Sequence, residues 1–363
     1  MTISIDCRWI DSSGVGAYLR GCLPFLLDSG HSFLLLGNTE KLSTIVSKKN
    51  NAVILDCPVK PFSPREILGF PKNLLKKINS GDLYYSPYFN IPGGIRLPVY
   101  TTIHDIIFPD MPELTSLPGL ATRMWFYRRA ARRSTAIFTV SEFSKSRIEH
   151  HLGKKKPVIN ASNAVNFFNS DINPAKVKKK KTIIFIGNIK KHKGLNTLLD
   201  AFLSARESGL DYRLVIVGAK DNFRSGDKES ASRLQNLVNK DIDFTGYIAE
   251  NEKWKLLAES ALLVQPSLYE GFGYPPLEAM LSGTPALVSD INVFREVYGA
   301  FPVTFFKAGD SEDLKAKMLE LLYEKKPEPL CLPVPLREKY SFKKTTEAIL
   351  RGFGTGIILG GST

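Results

Sequence analysis

The stretch SLYEGFGYPPLEAMLSGTP, residues 267–285, decides how this chain is read. Two glutamates, Glu270 and Glu278, stand eight positions apart in it. Pro275 and Pro276 suit the first turn of a helix, where a missing N–H is no loss, and Gly283 suits its end. Glu278 therefore falls near a helix N-terminus, and Glu270 on the glycine-rich loop before it. That loop lets the backbone N–H groups of Phe272 to Leu277 approach an anion, and the helix N-terminus favours negative charge there. Two carboxylates at the rim of such a site are poorly matched to a phosphate. They are well matched to hydroxyls that flank phosphates. The plainer reading is a surface loop and a helix carboxylate that offsets the macrodipole.

Outward from this stretch, strand and helix signals alternate, as in α/β domains with parallel sheets. TIIFIG (182–187) has the signature of a short buried strand, and further strands are expected at 213–217, 242–245, 261–265, 285–290 and 303–306. Helices are expected at 195–206, near 230–239, and at 251–259, 275–282, 310–324 and about 336–352. In the first half, ISIDC (3–7) reads as a strand and Gly16 to Leu27 as a helix. Strand-like runs follow at 33–36, 52–55, 83–86, 99–103 and 136–140, with helical patterns at 119–133 and 142–151. The halves part near 160–181, where Asn, Ser and then Lys dominate. The reading is two doubly wound domains over 1–165 and 166–335, facing across a cleft where open α/β sheets bind ligands. A helix over 336–353 packs back on the first domain, and the Gly-rich 354–363 forms a flexible tail.

A chain of 363 residues with a hydrophobic fraction of 43% suffices for two packed cores. The scattered Cys7, Cys22, Cys57 and Cys331 form no C-x-x-C pair, which suits reduced thiols in the cytoplasm. The start TISIDCRWI lacks a leader pattern, and no run approaches the ~20 apolar residues of a membrane span. The net charge of +13 attracts nucleic acid, anionic lipid or phosphorylated substrates. Most basic runs read as solvated faces. In Arg123 to Arg133, Trp125 and Phe126 sit among the cations, which suits a helix on an anionic membrane surface or one that buries at least one ring against its own sheet. Without zinc-finger spacing or an RNP-like strand, nucleic acid is not expected as a partner.

The 267–285 stretch resembles the E-x7-E motif of retaining GT-B glycosyltransferases of family 4, with more than a dozen positions in register. The resemblance implies that Glu270 binds hydroxyls of the transferred sugar and Glu278 the ribose hydroxyls. The backbone around Phe272, Gly273, Tyr274 and Leu277 would face the sugar and diphosphate. Other stretches resemble the family in the same order. Gly14 and Gly16 follow the first strand and open a helix, where glycines permit close approach to a diphosphate; a plain strand–helix turn explains them too. His104 ends a strand and resembles the family's ligand for the donor sugar, while Asp105 orients its loop. FIGNIKKHKG (185–194) resembles the phosphate-binding turn, with Lys193 in the lysine position. The arginine that often precedes it is absent, and Lys190, or else Asn188, takes its place. Ser141 fits a family pattern, or simply caps a helix.

Departure of a nucleoside diphosphate builds up charge that must be stabilised. Asp241-Ile-Asp243 has the D-x-D spacing of a metal site but precedes a short strand away from these loops, and it reads as solvated charge. Lys190, Lys193 and helix N-termini would replace a metal, so no metal is expected. Nor is the glutamate pair read as a glycosidase's acid and nucleophile, since the family uses both for hydroxyl binding. The resemblance implies a mannosyltransferase-like enzyme that moves a hexose with net retention, with acceptor on the N-terminal and donor on the C-terminal domain. GDP-mannose is the first donor reading, with UDP-glucose and UDP-N-acetylglucosamine open. The acceptor would be a glycan or lipid-linked hydroxyl of bacterial surface polysaccharide, such as O-antigen. A nucleic-acid-binding protein and a non-catalytic scaffold of the same fold are the competing classes.

Overall fold

The structure, a computed structural model, describes residues 1–12, 14–46, 51–165, 173–218, 228–238, 241–324 and 328–359. The chain divides into two compact units, Met1–Ala164 with Tyr340–Thr363, and Val165–Lys339.

The first unit runs β1 (Thr2–Asp6), α1 (Gly14–Leu27), β2 (Ser32–Gly37), α2 (Thr39–Val46), β3 (Ala52–Asp56), α3 (Pro64–Leu68), α4 (Lys72–Ile78), β4 (Leu83–Ser86), β5 (Val99–Thr102), α5 (Ile107–Asp110), α6 (Leu117–Arg133), β6 (Ala136–Thr139), α7 (Glu142–Leu152) and β7 (Val158–Asn160). The second runs β8 (Thr182–Ile186), α8 (Leu195–Glu207), β9 (Arg213–Val217), α9 (Lys228–Leu237), β10 (Ile242–Gly246), α10 (Glu250–Glu259), β11 (Leu262–Gln265), α11 (Tyr274–Leu281), β12 (Ala286–Ser289), α12 (Asn292–Tyr298), β13 (Thr304–Phe306), α13 (Ser311–Leu319) and α14 (Val334–Arg337). A last helix, α15 (Phe342–Leu359), returns to the first unit.

The central strands are short and almost wholly buried because helices cover both faces of each sheet. Among the described residues the sheets are parallel, with orders β3-β2-β1-β4-β5-β6-β7 and β10-β9-β8-β11-β12-β13. Ile3 thus pairs with Phe33 on one side and Leu83 on the other, and Ile183 pairs with Leu214 and Leu262. In each unit the order turns back beside the first strand. Loops leaving the carboxyl ends of β1 and β4, and of β8 and β11, therefore diverge and open a crevice. Fully buried Phe185, Leu198, Phe202 and Ile216 anchor the second core, and Tyr84, Ile91, Ile103 and Ile148 the first.

Two expectations are corrected at the C-terminus. The helix expected over 336–352 is broken: α14 ends at Arg337 and α15 starts at Phe342, because the chain leaves one unit for the other at Lys339 and Tyr340. The tail expected from residue 354 is helical as far as Leu359, with 360–363 outside the described residues. Gly352, in the middle of α15, serves packing. A Cβ at Gly352 would lie 2.3 Å from the Phe138 ring, and fully buried Phe353 accepts a hydrogen bond at its carbonyl from Tyr100 (2.9 Å). Strand β7 escaped notice because three residues carry no readable alternation. Cys7, Cys22, Cys57 and Cys331 are all free thiols.

Candidate donor site in the second unit

The site begins where β8 and β11 part. After β8 the chain passes Gly187, Asn188 and Lys190 into a single 3-10 turn, Lys191–Lys193, and then Gly194, from which α8 starts. Gly194 has φ +67°, and a Cβ there would lie 1.9 Å from the Pro266 carbonyl oxygen. Only glycine lets this turn press against the loop after β11. Leu268 N–H donates to the His192 carbonyl (2.7 Å), which fastens the two loops together.

That contact brings Lys193 to Glu270. Lys193 Nζ lies 2.7 Å from Glu270 Oε1, and Ser267 Oγ donates to the same oxygen at 2.8 Å. A carboxylate only accepts, so the Ser267 hydroxyl proton points at Glu270, and Ser267 in turn accepts from Gln265 Nε2 at 3.0 Å. This fixes the amide orientation of Gln265. Its Oε1, in a fully buried residue, is left with no hydrogen-bond partner, and so is Asn196 Oδ1 at the start of α8. Burial would raise the Glu270 carboxyl, but Lys193, His192 and the two hydrogen bonds hold it below its ordinary value. His192 is pushed down to about 4, chiefly by burial and then by the charges of Lys193 and Lys190. The charge of Lys190 thus acts on His192 together with that of Lys193.

Glu278 sits in the fifth position of α11 and is almost as buried as Glu270. Gly273 precedes this helix with φ +86°, and a Cβ there would strike the Phe294 ring at 2.5 Å. Tyr298 donates its hydroxyl to the Gly273 carbonyl, which pins the turn. Pro275 and Pro276 have no N–H, so the backbone N–H groups within residues 272–277 are those of Phe272, Gly273, Tyr274 and Leu277. The Phe272 and Leu277 side chains are buried, so these two residues can offer only backbone. The glycine before α8 and the glycine before α11 bring no capping side chain to these helix starts.

Sequence reasoning missed the partner of Glu278. Lys253, on α10, places Nζ 2.7 Å from Glu278 Oε1. Glu250 and Lys253 read as an ordinary i,i+3 surface pair, and nothing local announces a contact 25 residues away. Gln265, Ser267 and His192 were also missed, although His192 stood inside the quoted lysine run.

The expected residues of the first unit are placed as follows. His104 Nε2 lies 2.9 Å from the Pro87 carbonyl, so Nε2 carries the proton and Nδ1 is the accepting nitrogen. Burial pushes its pKa down to about 4, which keeps the ring neutral at pH 7. Ser144 Oγ donates to the His104 carbonyl (3.1 Å), and Ser141 Oγ caps α7 by accepting from Ser144 N–H (3.0 Å). Asp105 accepts from Ile107 N–H at 3.2 Å, as a loop-orienting residue does. A Cβ at Gly14 would meet open space. At Gly16 it would lie 2.6 Å from the Ile10 carbonyl, and the Gly16 N–H already donates to Ser12 Oγ (2.9 Å). Packing alone thus requires a glycine at position 16.

Asp241 pairs with Arg206 (3.2 Å) and Asp243 with Arg213 (4.0 Å), at the opposite end of the sheet from Glu270. Helix α6 uses its arginines largely for structure: Arg129 and Arg133 donate to the Ile91 and Ile95 carbonyls, and Arg123 lies over Phe108. Phe126 packs on Phe62, while Trp125 is 46% exposed. No helix among the described residues is long and apolar enough to cross a membrane.

Two parallel sheets with this strand order, and a lysine-tethered glutamate pair at the second crevice, define a protein of the GT-B fold. Solved structures share it over nearly the whole chain: HepE from Anabaena, in complex with UDP and glucose, has TM-score 0.71 at 17% identity and covers 98% of this chain and 100% of its own. Sucrose-phosphate synthase from Thermosynechococcus elongatus has TM-score 0.70 at 15% identity and covers 100% of both chains. Residues 167–333 match the family model of glycosyl transferases group 1. The chain is similar to O-antigen chain mannosyltransferase B of Escherichia coli, 27% identical over 60% of this chain and 59% of that protein. It is also similar to 2-deoxystreptamine glucosyltransferase of Streptomyces kanamyceticus, 27% identical over 56% of this chain and 53% of that one. The mannosyltransferase RfbU of Salmonella typhimurium is 28% identical over 54% of this chain and 53% of its own. The chain therefore spans less than two thirds of these curated relatives.

Proposed function

We propose that this protein is a retaining glycosyltransferase that moves a hexose from a nucleotide sugar to a hydroxyl of a glycan or lipid-linked acceptor in surface polysaccharide synthesis. The observation that carries the reading is the pair of buried glutamates, each tethered through Oε1 to a lysine, beside the glycine-capped starts of α8 and α11. Glu270 takes hydroxyls of the transferred sugar and Glu278 those of the ribose. The unpartnered Gln265 Oε1 and Asn196 Oδ1 add two acceptors that hydroxyl donors would satisfy. Lys193, Lys190 and the N–H groups of Phe272, Gly273, Tyr274 and Leu277 meet the diphosphate and stabilise its charge as the glycosidic bond breaks. His104, neutral and with Nδ1 accepting, is assigned to the donor sugar, and Gly14 to close approach of the diphosphate. Retention then follows a same-face displacement in which the leaving phosphate takes the acceptor proton, with no metal required.

GDP-mannose is the first donor, because two of the curated relatives are named mannosyltransferases. The second reading is a UDP-sugar, favoured by the UDP and glucose in the HepE structure and by the named glucosyltransferase. Acceptor binding is assigned to the first unit. Peripheral contact with an anionic membrane is assigned to α6, whose Leu117, Trp125, Arg128 and Arg132 are exposed. A thermal-shift screen with GDP, UDP, ADP and their sugars tests the donor site. A ligand at about 100 times its Kd stabilises the native state by ~2.7 kcal/mol, which raises Tm by several degrees. One base class should produce this rise. Absence of a shift with all of them would sink the reading.

A further inference from the structure

Every carboxylate in a low-dielectric crevice needs a reason to stay ionised, and Glu278 has an unusual one. Burial pushes its carboxyl up, and Glu250 pushes the same way, while Lys253 pulls down. The net position is raised, unlike that of Glu270, which Lys193 brings below the ordinary value. Helix α11 packs on β11, β12 and α10. The two strands present no ionisable side chain, so the charged groups facing Glu278 are Lys253 and Glu250 on α10.

Lys253 is itself held. Its Nζ lies 2.7 Å from Glu250 Oε1 as well as 2.7 Å from Glu278 Oε1. Trp254 Nε1 donates to the same Glu250 oxygen at 3.0 Å, and the ammonium lies 5.4 Å from the centre of the Trp254 ring. The side chain of Lys253 is only 15% exposed, against 68% for Glu250. A lysine so fixed delivers its charge to one oxygen of Glu278. Among the described residues, no protein hydrogen bond reaches the other oxygen.

We infer that Lys253 is the positioning residue for Glu278: it occupies Oε1, keeps the carboxylate ionised, and leaves Oε2 to accept from a vicinal diol such as the ribose of a nucleoside diphosphate. The inference deepens the donor reading and rests on it for the identity of the diol. It adds a residue whose work lies entirely in the protonation and orientation of another.

The test uses the full chain with two readouts. In the first, the Glu278 carboxyl is titrated by NMR with carboxyl-labelled glutamate and assigned by its loss in Glu278→Gln. Lys253→Met removes the downward pull and leaves burial and Glu250, so the midpoint should rise on the order of one pH unit; Lys253→Arg should restore most of it. In the second, GDP and UDP affinities are measured by calorimetry. The affinity for the preferred nucleotide is compared between wild type and variants at each pH from about 6 to about 8.5, so that ionisation of the diphosphate itself cancels. Lys253→Met should weaken it about tenfold near the acidic end and less near the basic end, with rescue by arginine. An unchanged Glu278 midpoint, or equal weakening at every pH without rescue, would overturn the inference. The titration is read without nucleotide, so it decides the role of Lys253 even if neither GDP nor UDP binds and the donor reading falls.

Discussion

The two units place charged networks at the same point of the same topology and use them in opposite ways. At the crevice of the first sheet, Asp6, Arg8, Glu66, Asn90, Tyr84 and Trp9 form a closed set. Asp6 accepts from Arg8, Tyr84 and Asn90. Glu66 accepts from Arg8 and Asn90 on one oxygen and from Phe62 N–H on the other. Asn90 Oδ1 takes Trp9 Nε1 at 2.7 Å, and Arg8 Nη1 reaches the Val59 carbonyl at 2.9 Å. No acceptor in this set lacks a donor. At the second crevice the glutamates are tethered on one side only, and two buried amide oxygens have no donor. A satisfied network specifies a fold; one with spare acceptors is prepared for hydroxyls that the protein does not itself contain. Topology marks the place in both units, and the state of the hydrogen-bond ledger separates support from site.

The sharpest way to break this contrast is to open the closed set. Glu66→Ala leaves Arg8, whose side chain is 3% exposed, with less of its compensating charge, and leaves Phe62 N–H without an acceptor. Phe62 holds φ +59°, a left-handed backbone that is costly for an aromatic residue, and the Glu66 contact helps keep it there. Removal of one partner of a buried ion pair costs about 3–5 kcal/mol. Urea unfolding should show that loss, while nucleotide affinity of the folded protein stays as in wild type. A loss below about 1 kcal/mol would mean that the first network is as lightly loaded as a surface pair.

The second test works from the other side. Glu270→Ala should lower sugar transfer about 10²–10³-fold, the usual result of losing a hydrogen-bonding group that acts at the transition state. Nucleoside diphosphate binding should change little. Stability should fall by less than in Glu66→Ala, because Lys193 is 20% exposed and its freed ammonium can turn to water. Kinetics together with unfolding curves decide the point. A stability loss matching that of Glu66→Ala, with transfer intact, would reverse the assignment of the two networks.

What the sequence made legible follows from the range of the forces involved. Strand β9 at 213–217 and helix α8 from 195 could be read because apolar periodicity is local. Glu270, Glu278 and Lys193 were legible because glycine and proline punctuation marks the turns that carry them. Lys253 was not, since its partner lies on another helix and an i,i+3 charge pair is the commonest decoration of a helix surface. Gln265 was hidden because it ends an apolar strand and looks like its polar edge. The fate of its amide depends on Ser267 and Glu270, which only the folded loop brings together. Gly16 shows the reverse limit: a glycine after the first strand suggests a phosphate, and only the folded chain shows that the Ile10 carbonyl also needs the space.

The smallest expected effect is the finest discriminator. Gln265 and Asn90 are both fully buried amides at the crevice end of a fourth strand or just beyond it. Gln265→Met should leave stability within about 1 kcal/mol of wild type, because it removes an acceptor that had no donor along with one hydrogen bond to Ser267. The donor KM should rise severalfold, as loss of a single neutral hydrogen bond of about 1 kcal/mol implies. Asn90→Leu, by contrast, strands Trp9 Nε1 and strips a donor from both Asp6 and Glu66, so it should be destabilising throughout. Chemical unfolding of both variants and donor kinetics of the first decide between the two roles. If Gln265→Met unfolded as readily as Asn90→Leu and left KM untouched, its bare oxygen would be an unpaid debt of packing, and the two crevices would differ less than their hydrogen bonds suggest.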